Sequence, residues 1–267
     1  MDPTISTLDS MLKVTGNFGG TPPSEPLPEI KEDPVSYRDL IRTQGYVLIK
    51  DLFPKELLDE LRRAIMQGIR RKKFGLVKKS NITIPNFLKV KELRELGLSL
   101  KNNEKLHAIL KDIFGGDDYR FCAHNDVGVN RTVAWHKDRL NGKYRKFEKH
   151  DIFAKTKGET SFQIVKVLTY LESHEDDDHA LMLIPGSHVK RKMGNPKDGI
   201  RMHPAFGDTL IFDQRISHKG QGSKVKDSSK RILVSLGFGK NNHYTDEFEK
   251  GTKHRQRDQF KEMMKYK

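Results

Sequence analysis

The sequence predicts an α+β protein that is mainly β, with helices first and a sandwich or barrel of strands after them. Apolar residues follow helical spacing in the first part of the chain, as far as the consecutive glycines Gly115 and Gly116. Beyond them the pattern changes to six short apolar runs separated by turn residues, between residues 119 and 238. A chain of 267 residues is long enough for one large core. We therefore expect a single domain with an extension at each end.

The first elements follow a tail. Residues 1–35 are rich in proline and acidic residues without periodicity, which is typical of a flexible tail. The fold is expected to begin near Tyr37, where SYRDLIRTQ has helical spacing and GYVLIKDLF has a short strand-type run. PKELLDELRRAIMQGIRRKK begins with a proline at a helix N-terminus, and NEKLHAILKDIF predicts a helix that the two glycines end.

The strands come next, and the candidates are YRFCAHND, GVNRTVAW, SFQIVKVLTYLE, ALMLIP, DTLIFD and RILVSLGF. Between the second and third lies a polar segment, residues 139–161, which is too long for an ordinary hairpin. Loops of this length are often lids or binding loops, so we expect a lid-like insertion, with a disordered insertion as the alternative. The domain is expected to span residues 36–242, and residues 243–267 to form a basic C-terminal tail.

The composition limits the compartment and the partners. One cysteine, Cys122, excludes a disulfide framework and a multi-cysteine zinc site. No apolar run reaches the roughly 18 residues that span a bilayer, and the N-terminus has no secretory apolar segment. We therefore expect a soluble, intracellular, cytoplasmic protein. The net charge of +14 favours anionic partners such as nucleic acids or phosphorylated metabolites, but its cations are spread along the chain rather than gathered in one stripe.

Three H-x-D pairs are candidates for part of a metal site: His124/Asp126, His136/Asp138 and His174/Asp176. The first lies near a strand end without an obvious partner, and the third lies in the acidic loop SHEDDDHA, which is expected to be a solvated turn. His136 and Asp138 end the strand GVNRTVAW, where residues two apart share one face. His218, just after the strand DTLIFD, supplies a third ligand. Two histidines and one carboxylate form the triad that suits non-haem Fe(II) and leaves positions open.

Longer stretches around these residues resemble one known family. WHKD, LTYLESHEDDDHALMLIPGSHVKR, HPAFGDTLIFDQRISHKG and KRILVSLGFG, preceded by GYVLIKDLFPKELLDELRRAI, are similar in this order to the phytanoyl-CoA dioxygenase family of Fe(II)- and 2-oxoglutarate-dependent oxygenases. The chain departs from the family pattern at Leu168 and Ala180, where the family often has tryptophan and glycine. The resemblance implies a double-stranded β-helix, a cupin-like jelly-roll, with the N-terminal helices packed on it.

The resemblance also implies roles for the candidate residues. Iron is held by His136, Asp138 and His218, and an arginine about a dozen residues after the second histidine binds the distal carboxylate of 2-oxoglutarate. Arg231 matches that position, and a guanidinium can hold a carboxylate through two parallel hydrogen bonds. Ascorbate is a candidate reductant. Thr132 and Asn130 share the predicted strand face of His136, so they are candidate polar groups of the cofactor pocket.

These observations predict a 2-oxoglutarate-dependent dioxygenase that hydroxylates a small molecule and releases succinate and CO2. The positive charge favours an anionic substrate. One alternative is an oxygenase of the same chemistry that acts on a modified nucleic acid. The other is a non-catalytic jelly-roll used as a binding module.

Overall fold

The computed structural model describes residues 36–78, 81–154, 163–175, 179–220 and 231–265. The predicted N-terminal tail, residues 155–161 of the lid-like insertion and Asp176 lie outside the described residues. Within the described ranges, no helix combines the length and the apolar character needed to cross a membrane.

Four helices belong to the N-terminal part and a fifth ends the described chain: α1 (Tyr37–Thr43), α2 (Lys55–Arg70), α3 (Arg94–Lys101), α4 (Glu104–Phe114) and α5 (His243–Met264). Local signals set several of their ends. The side chains of Ser36 and Asn103 accept backbone N–H groups at the starts of α1 and α4. Gly115 ends α4 at φ +73°, a conformation that glycine adopts without steric cost.

Eleven strands are found in the described residues: β1 (Tyr46–Ile49), β2 (Leu76–Lys78), β3 (Asn81–Pro85), β4 (Tyr119–Val129), β5 (Val133–His136), β6 (Ile164–Tyr170), β7 (Leu181–Leu183), β8 (Ile200–Arg201), β9 (Thr209–Asp213), β10 (His218–Gly220) and β11 (Ile232–Lys240). They form two antiparallel sheets, a large one in the order β1-β9-β6-β11-β4-β3-β2 and a small one in the order β5-β10-β7-β8. From β4 onward the chain passes repeatedly between the two sheets. The predicted class, α+β with a double-stranded β-helix, is confirmed.

Alternation of side chains along the strands of the large sheet separates two environments. On β11, Val234 and Leu236 belong to the core that the helices cover, and Leu233 and Ser235 face the space between the sheets. The helices contribute apolar residues at helical spacing to the same outer core, such as Leu58, Leu61 and Ile65 of α2. The helices thus cover the outer face of the large sheet and leave its inner face to line a cavity.

Two parts of the chain differ from the sequence-based prediction. Residues 243–264, predicted as part of a basic tail, form α5, whose buried side chains include Thr252, Gln256 and Met263. The boundary between the first two predicted strands lies at the turn around Asn130 rather than before Gly128, and Asn130 adopts φ +52°, which asparagine tolerates better than most residues.

Candidate active site

The two histidines of the predicted triad lie directly opposite one another in the small sheet. His136, the last residue of β5, pairs with His218, the first residue of β10. Asp138 follows β5 by two residues, and its backbone N–H donates to Gln214 O at 3.0 Å. Strand pairing therefore fixes the two imidazoles, and a backbone hydrogen bond fixes the carboxylate beside them.

The side chains of these three residues converge. His136 Nε2 lies 3.6 Å from Asp138 Oδ1, and His218 Nε2 lies 3.6 Å from Asp138 Oδ2. These separations are too long for direct hydrogen bonds. One ligand atom from each residue lies within 4.8 Å of the other two, which is a spacing that a single metal ion could bridge.

The hydrogen bonds of the two rings fix their protonation in a way that suits a metal. His136 Nδ1 lies 2.8 Å from Ala134 O, and His218 Nδ1 lies 3.0 Å from Ile216 O. A carbonyl oxygen only accepts, so each neutral ring carries its proton on Nδ1 and keeps a lone pair on Nε2. Burial lowers the pKa of His218 to about 4, and the neighbouring Asp138 offsets this only in part. The Nε2 atoms, which point at Asp138, are the ones available to a cation.

Asp138 has a cationic partner that sequence reasoning missed. Lys166, on the inner face of β6, donates from Nζ to Asp138 Oδ2. Burial alone would raise the pKa of Asp138, but the ammonium of Lys166 and the two imidazoles beside the carboxylate outweigh it, so the pKa lies well below its usual value. In SFQIVKVLTYLE, Lys166 is the only charged residue of the mostly apolar run IVKVLTY, and alternation places it on the face of Leu168; this was the signal for it in the sequence.

The turn that carries the H-x-D pair is held by groups from the PGSH motif. Lys137 points away from the triad and donates to both Ser187 O and Arg215 O at 2.6 Å. The hydroxyl of Ser187 accepts the N–H of Ser217, the residue before His218, at 2.8 Å. The motif is therefore a structural support that connects both histidine-bearing strands.

A cavity between the sheets contains the triad and Arg231. Leu168, Leu181 and Phe212 supply its apolar wall, with Leu168 at the position where the family often has tryptophan. Arg231 is buried just before β11, and its Nη1 donates to His179 O at 2.6 Å. Gly220 keeps the space beside it open, because a Cβ there would lie 3.3 Å from Arg231 Nη2. A buried guanidinium and a potential metal site thus share one cavity.

Thr132 and Asn130 do not line this cavity, which corrects their predicted place in the cofactor pocket. His218 pairs with His136 and Gly220 with Val133, so β5 has one more residue than β10 between these pairs. This irregularity shifts the alternation by one residue, and Val133 faces the cavity. Thr132 is exposed, and the Asn130 side chain accepts the Arg231 N–H at 2.9 Å.

The described residues of the two competing H-x-D pairs have other partners in the structure. Asp126 is buried and accepts from Arg255 Nη2 at 2.8 Å and Gln256 Nε2 at 3.0 Å, both on α5. Burial would raise its pKa, but the charge of Arg255 holds the pKa well below the usual range. His174 is buried against Tyr170, so the expectation of a solvated turn was wrong for this residue.

The described part of the lid-like insertion, residues 139–154, is attached to α5. Tyr144 Oη donates to Asp258 at 2.9 Å, and the Phe147 ring stacks on His254 with the ring centroids 4.7 Å apart. None of these sixteen positions lines the cavity. This part of the insertion therefore packs beside the cavity and not over the triad.

Comparison with known proteins agrees with the geometry. The model of the phytanoyl-CoA dioxygenase (PhyH) family matches residues 41–231. No curated protein matches the sequence significantly.

Solved structures share the fold at low sequence identity. EctD from S. alaskensis, with 2-oxoglutarate and 5-hydroxyectoine, is 15% identical over 79% of this chain and 78% of its own, with a TM-score of 0.58. HygX from Streptomyces hygroscopicus, with nickel, 2-oxoglutarate and hygromycin B, is 15% identical over 75% of this chain and 85% of its own, with a TM-score of 0.53. The epimerase SnoN from nogalamycin biosynthesis is 12% identical over 76% and 79%, with a TM-score of 0.57. With the family match over most of the chain, the conclusion is that the protein belongs to the phytanoyl-CoA dioxygenase family and is an iron- and 2-oxoglutarate-dependent oxygenase.

Proposed function

We propose that this oxygenase hydroxylates a small molecule and converts 2-oxoglutarate to succinate and CO2. The observation that carries the proposal is the convergence of two Nε2 lone pairs and one carboxylate in a cavity that also contains a buried arginine. A metal-binding module without catalysis needs no such second group. Iron with 2-oxoglutarate, when bound, supplies the oxidising power to convert a C–H bond into C–OH.

Each residue of the site has a separate task in this proposal. His136, Asp138 and His218 would hold iron through two imidazole nitrogens and one carboxylate, a set of ligands that suits Fe(II). Arg231 binds the distal carboxylate of 2-oxoglutarate through its planar guanidinium, which keeps its charge when buried. The apolar wall with Leu168 excludes water from the reacting atoms.

A small-molecule substrate is supported by what some structural neighbours contain. EctD holds 5-hydroxyectoine and HygX holds hygromycin B, each in a structure with 2-oxoglutarate. SnoN is described as an epimerase, so hydroxylation has to be distinguished from epimerisation by experiment.

A nucleic-acid substrate gains no support from the site. Oxidation of a base requires the base to be extruded and stacked on aromatic side chains. Tyr144 and Phe147 are engaged with α5, and Phe153 lies under the cations of Lys137 and Arg191. These are the aromatic residues of the insertion that a base would have to use.

The test is a screen of small-molecule pools with Fe(II), 2-oxoglutarate, ascorbate and isotopically labelled oxygen gas. We expect a pool that stimulates succinate formation and yields a product with one labelled oxygen atom. The variants His136→Ala and Asp138→Ala are expected to lose both signals. Full 2-oxoglutarate turnover by both variants would contradict the proposal, and a stimulated reaction without label in the product would replace hydroxylation by another outcome.

A further inference from the structure

The inner face of the large sheet adds a second group of polar side chains to the cavity, apart from the triad and Arg231. It consists of His124 on β4, Lys166 on β6 and Ser235 on β11. We propose that Lys166 and Ser235 form a subsite for the carboxylate of an acidic substrate, with His124 and Arg255 as positioning residues that orient the Ser235 hydroxyl. The inference rests on the proposed function, because it names the substrate class of that same site.

The direction of the hydrogen bonds follows from Arg255, which can only donate. Its Nη2 lies 3.3 Å from His124 Nδ1 as well as 2.8 Å from Asp126 Oδ2. His124 Nδ1 must therefore accept, and the ring carries its proton on Nε2, which lies 2.9 Å from Ser235 Oγ. Burial lowers the pKa of His124 to about 3, so the ring is neutral near pH 7. Ser235 receives a hydrogen bond from His124, and its own proton is left to donate into the cavity.

The backbone around His124 is arranged for this contact at an energetic cost. Leu236 pairs with Asn125 and Phe238 with Phe121, so β4 has two more residues than β11 between these pairs. The bulge includes Ala123 at φ +64°, a left-handed conformation that costs an alanine roughly 1–2 kcal/mol. Such bulges and strained residues often re-aim a side chain at a functional site.

A glycine makes room for the re-aimed side chain. A Cβ on Gly237 would lie 2.8 Å from the Cβ of His124 and 2.9 Å from Cys122 Sγ. Any side chain at this position would therefore push the bulge away from β11. The contact between His124 and Ser235 depends on both the bulge and the glycine.

Lys166 completes the subsite from the neighbouring strand. It pairs with Gly237, and Leu168 pairs with Ser235, so Lys166 and Ser235 are diagonal neighbours on one face. Diagonal neighbours are typically about 7–8 Å apart, within the reach of a long side chain. A bound carboxylate can thus contact the ammonium of Lys166 and the hydroxyl of Ser235 together.

The balance of charge in the cavity favours a substrate with one negative charge. Among the described residues of the cavity and its wall, three buried or half-buried cationic side chains, Lys166, Arg231 and Arg255, face two carboxylates, Asp126 and Asp138. A fourth cation, Arg131, also lines the cavity but is exposed, so solvent screens its charge. Fe(II) and the dianion of 2-oxoglutarate add no net charge. One poorly solvated positive charge is left over, and an unbalanced charge of this kind is costly until an anion pairs with it.

The test uses trifluoroacetate as a carboxylate probe and trifluoroethanol as its neutral counterpart. The full-length protein is loaded with Co(II) and saturating 2-oxoglutarate, and fluorine relaxation of each probe is measured against the Zn(II)-loaded protein, because relaxation by Co(II) reports nearness to the metal. We expect severalfold stronger relaxation of trifluoroacetate than of trifluoroethanol. Ser235→Ala and Lys166→Met are expected to remove the difference, whereas Lys105→Met, an exposed site on α4 with the same change of charge, retains it.

Arg255 is tested as a positioning residue by nitrogen NMR of His124. We expect the Nε2–H form in the wild type and a loss of this preference in Arg255→Met, together with weaker trifluoroacetate relaxation. Arg255→Lys, which also only donates, is expected to restore both. A merely structural role would leave the tautomer unchanged.

The outcomes separate the two proposals. Failure of the wild type to bind Co(II) and 2-oxoglutarate counts against the proposed function. With both bound, equal relaxation of the two probes, or trifluoroacetate relaxation that survives Ser235→Ala, overturns the carboxylate subsite. If Lys166→Met cannot bind the metal, Ser235→Ala decides alone.

Discussion

Asp126 and Asp138 each follow a histidine by two residues, but different groups surround them. Asp126 accepts from Arg255 and Gln256 and lies behind the bulge of β4. Asp138 accepts from Lys166, and two imidazole Nε2 atoms lie 3.6 Å from its oxygens. Asp126 has one imidazole nitrogen nearby, His124 Nδ1 at 3.8 Å, and Arg255 donates to that nitrogen. Asp138 has two Nε2 atoms beside it that no protein donor occupies in the described residues, so it is the carboxylate suited to a divalent cation.

His124 gives the stability of the protein a pH dependence. Burial lowers its pKa to about 3, whereas an unfolded chain has the ordinary value of about 6.5. Between these values the unfolded state binds the extra proton, so this contribution is present above about pH 6.5 and falls as the pH drops toward 3. Protonation of His124 in the unfolded chain should therefore make the free energy of unfolding about 2 kcal/mol lower at about pH 5 than above about pH 6.5.

Urea unfolding measured above about pH 6.5 and again at about pH 5 checks this prediction. The variant His124→Gln should lose that part of the pH dependence, while the part from His218, which has the same sign, remains. An unchanged pH dependence in His124→Gln would show that the ring is already exposed to protonation in the folded protein.

The convergence of His136, Asp138 and His218 could be predicted from the sequence because their spacing follows from strand geometry. His136 and Asp138 needed only a strand end, and His218 needed only a neighbouring strand. The assignment of Thr132 and Asn130 to the cofactor pocket assumed that side chains alternate without interruption as far as His136. The pairing of β5 with β10 is irregular between these residues and His136, so the assumption does not hold. A bulge has no composition signal, so single residues beyond it cannot be assigned to a face.

Among the helices, α5 was not predicted from the sequence pattern, and the reason is physical. Its positions with the lowest exposure include Thr245, Gly251, Thr252 and Gln256, with Met263 as a buried apolar residue near its end. Small and polar side chains at the contact give no apolar periodicity, and the many cations resemble a solvated tail. Helix α5 nevertheless supplies Arg255 and anchors the insertion after Asp138.

Two adjacent methionines test whether α5 is packed in solution. Met263 is 2% exposed and belongs to the main core, whereas Met264 is 42% exposed. Met263→Ala should lower the free energy of unfolding by about 2–3 kcal/mol, and Met264→Ala by less than about 0.5 kcal/mol. Denaturant unfolding measures both. A tail would make the two variants indistinguishable from the wild type.

For the whole molecule, the net positive charge allows binding of nucleic acid but does not identify the substrate of the reaction. The net charge of +14 is distributed along the chain, and the aromatic residues of the insertion are engaged with α5 or with cations. We predict that a single-stranded DNA oligonucleotide binds at low salt, loses affinity steeply as salt rises, and does not stimulate succinate formation. Binding assays at several salt concentrations and a turnover assay check this. Stimulated turnover with the oligonucleotide would favour the nucleic-acid alternative.

The fold class was predictable because it depends on many residues at once. Because six strand-type runs indicate the class, an error in one or two of them does not change the prediction. The order of the motifs then indicated the jelly-roll. The hairpin of β2 and β3 and the short helix α3 gave weak signals, since each is brief and packs at the edge of the sheet or on its helical layer. Their existence follows from tertiary contacts that one sequence does not display.

We propose that Asp138, and not Asp126, is the carboxylate ligand of the iron site. This assignment is tested most directly by anaerobic titration of Fe(II) into the protein with 2-oxoglutarate, followed by the visible charge-transfer absorbance of the complex. We predict that the wild type and Asp126→Asn bind one iron and develop the band, and that Asp138→Asn loses it and binds Fe(II) more than about 10-fold more weakly, since even outer partners of a metal ligand have effects of that size. Retention of the band in Asp138→Asn, with its loss in Asp126→Asn, would show that Asp126 and not Asp138 is the carboxylate ligand.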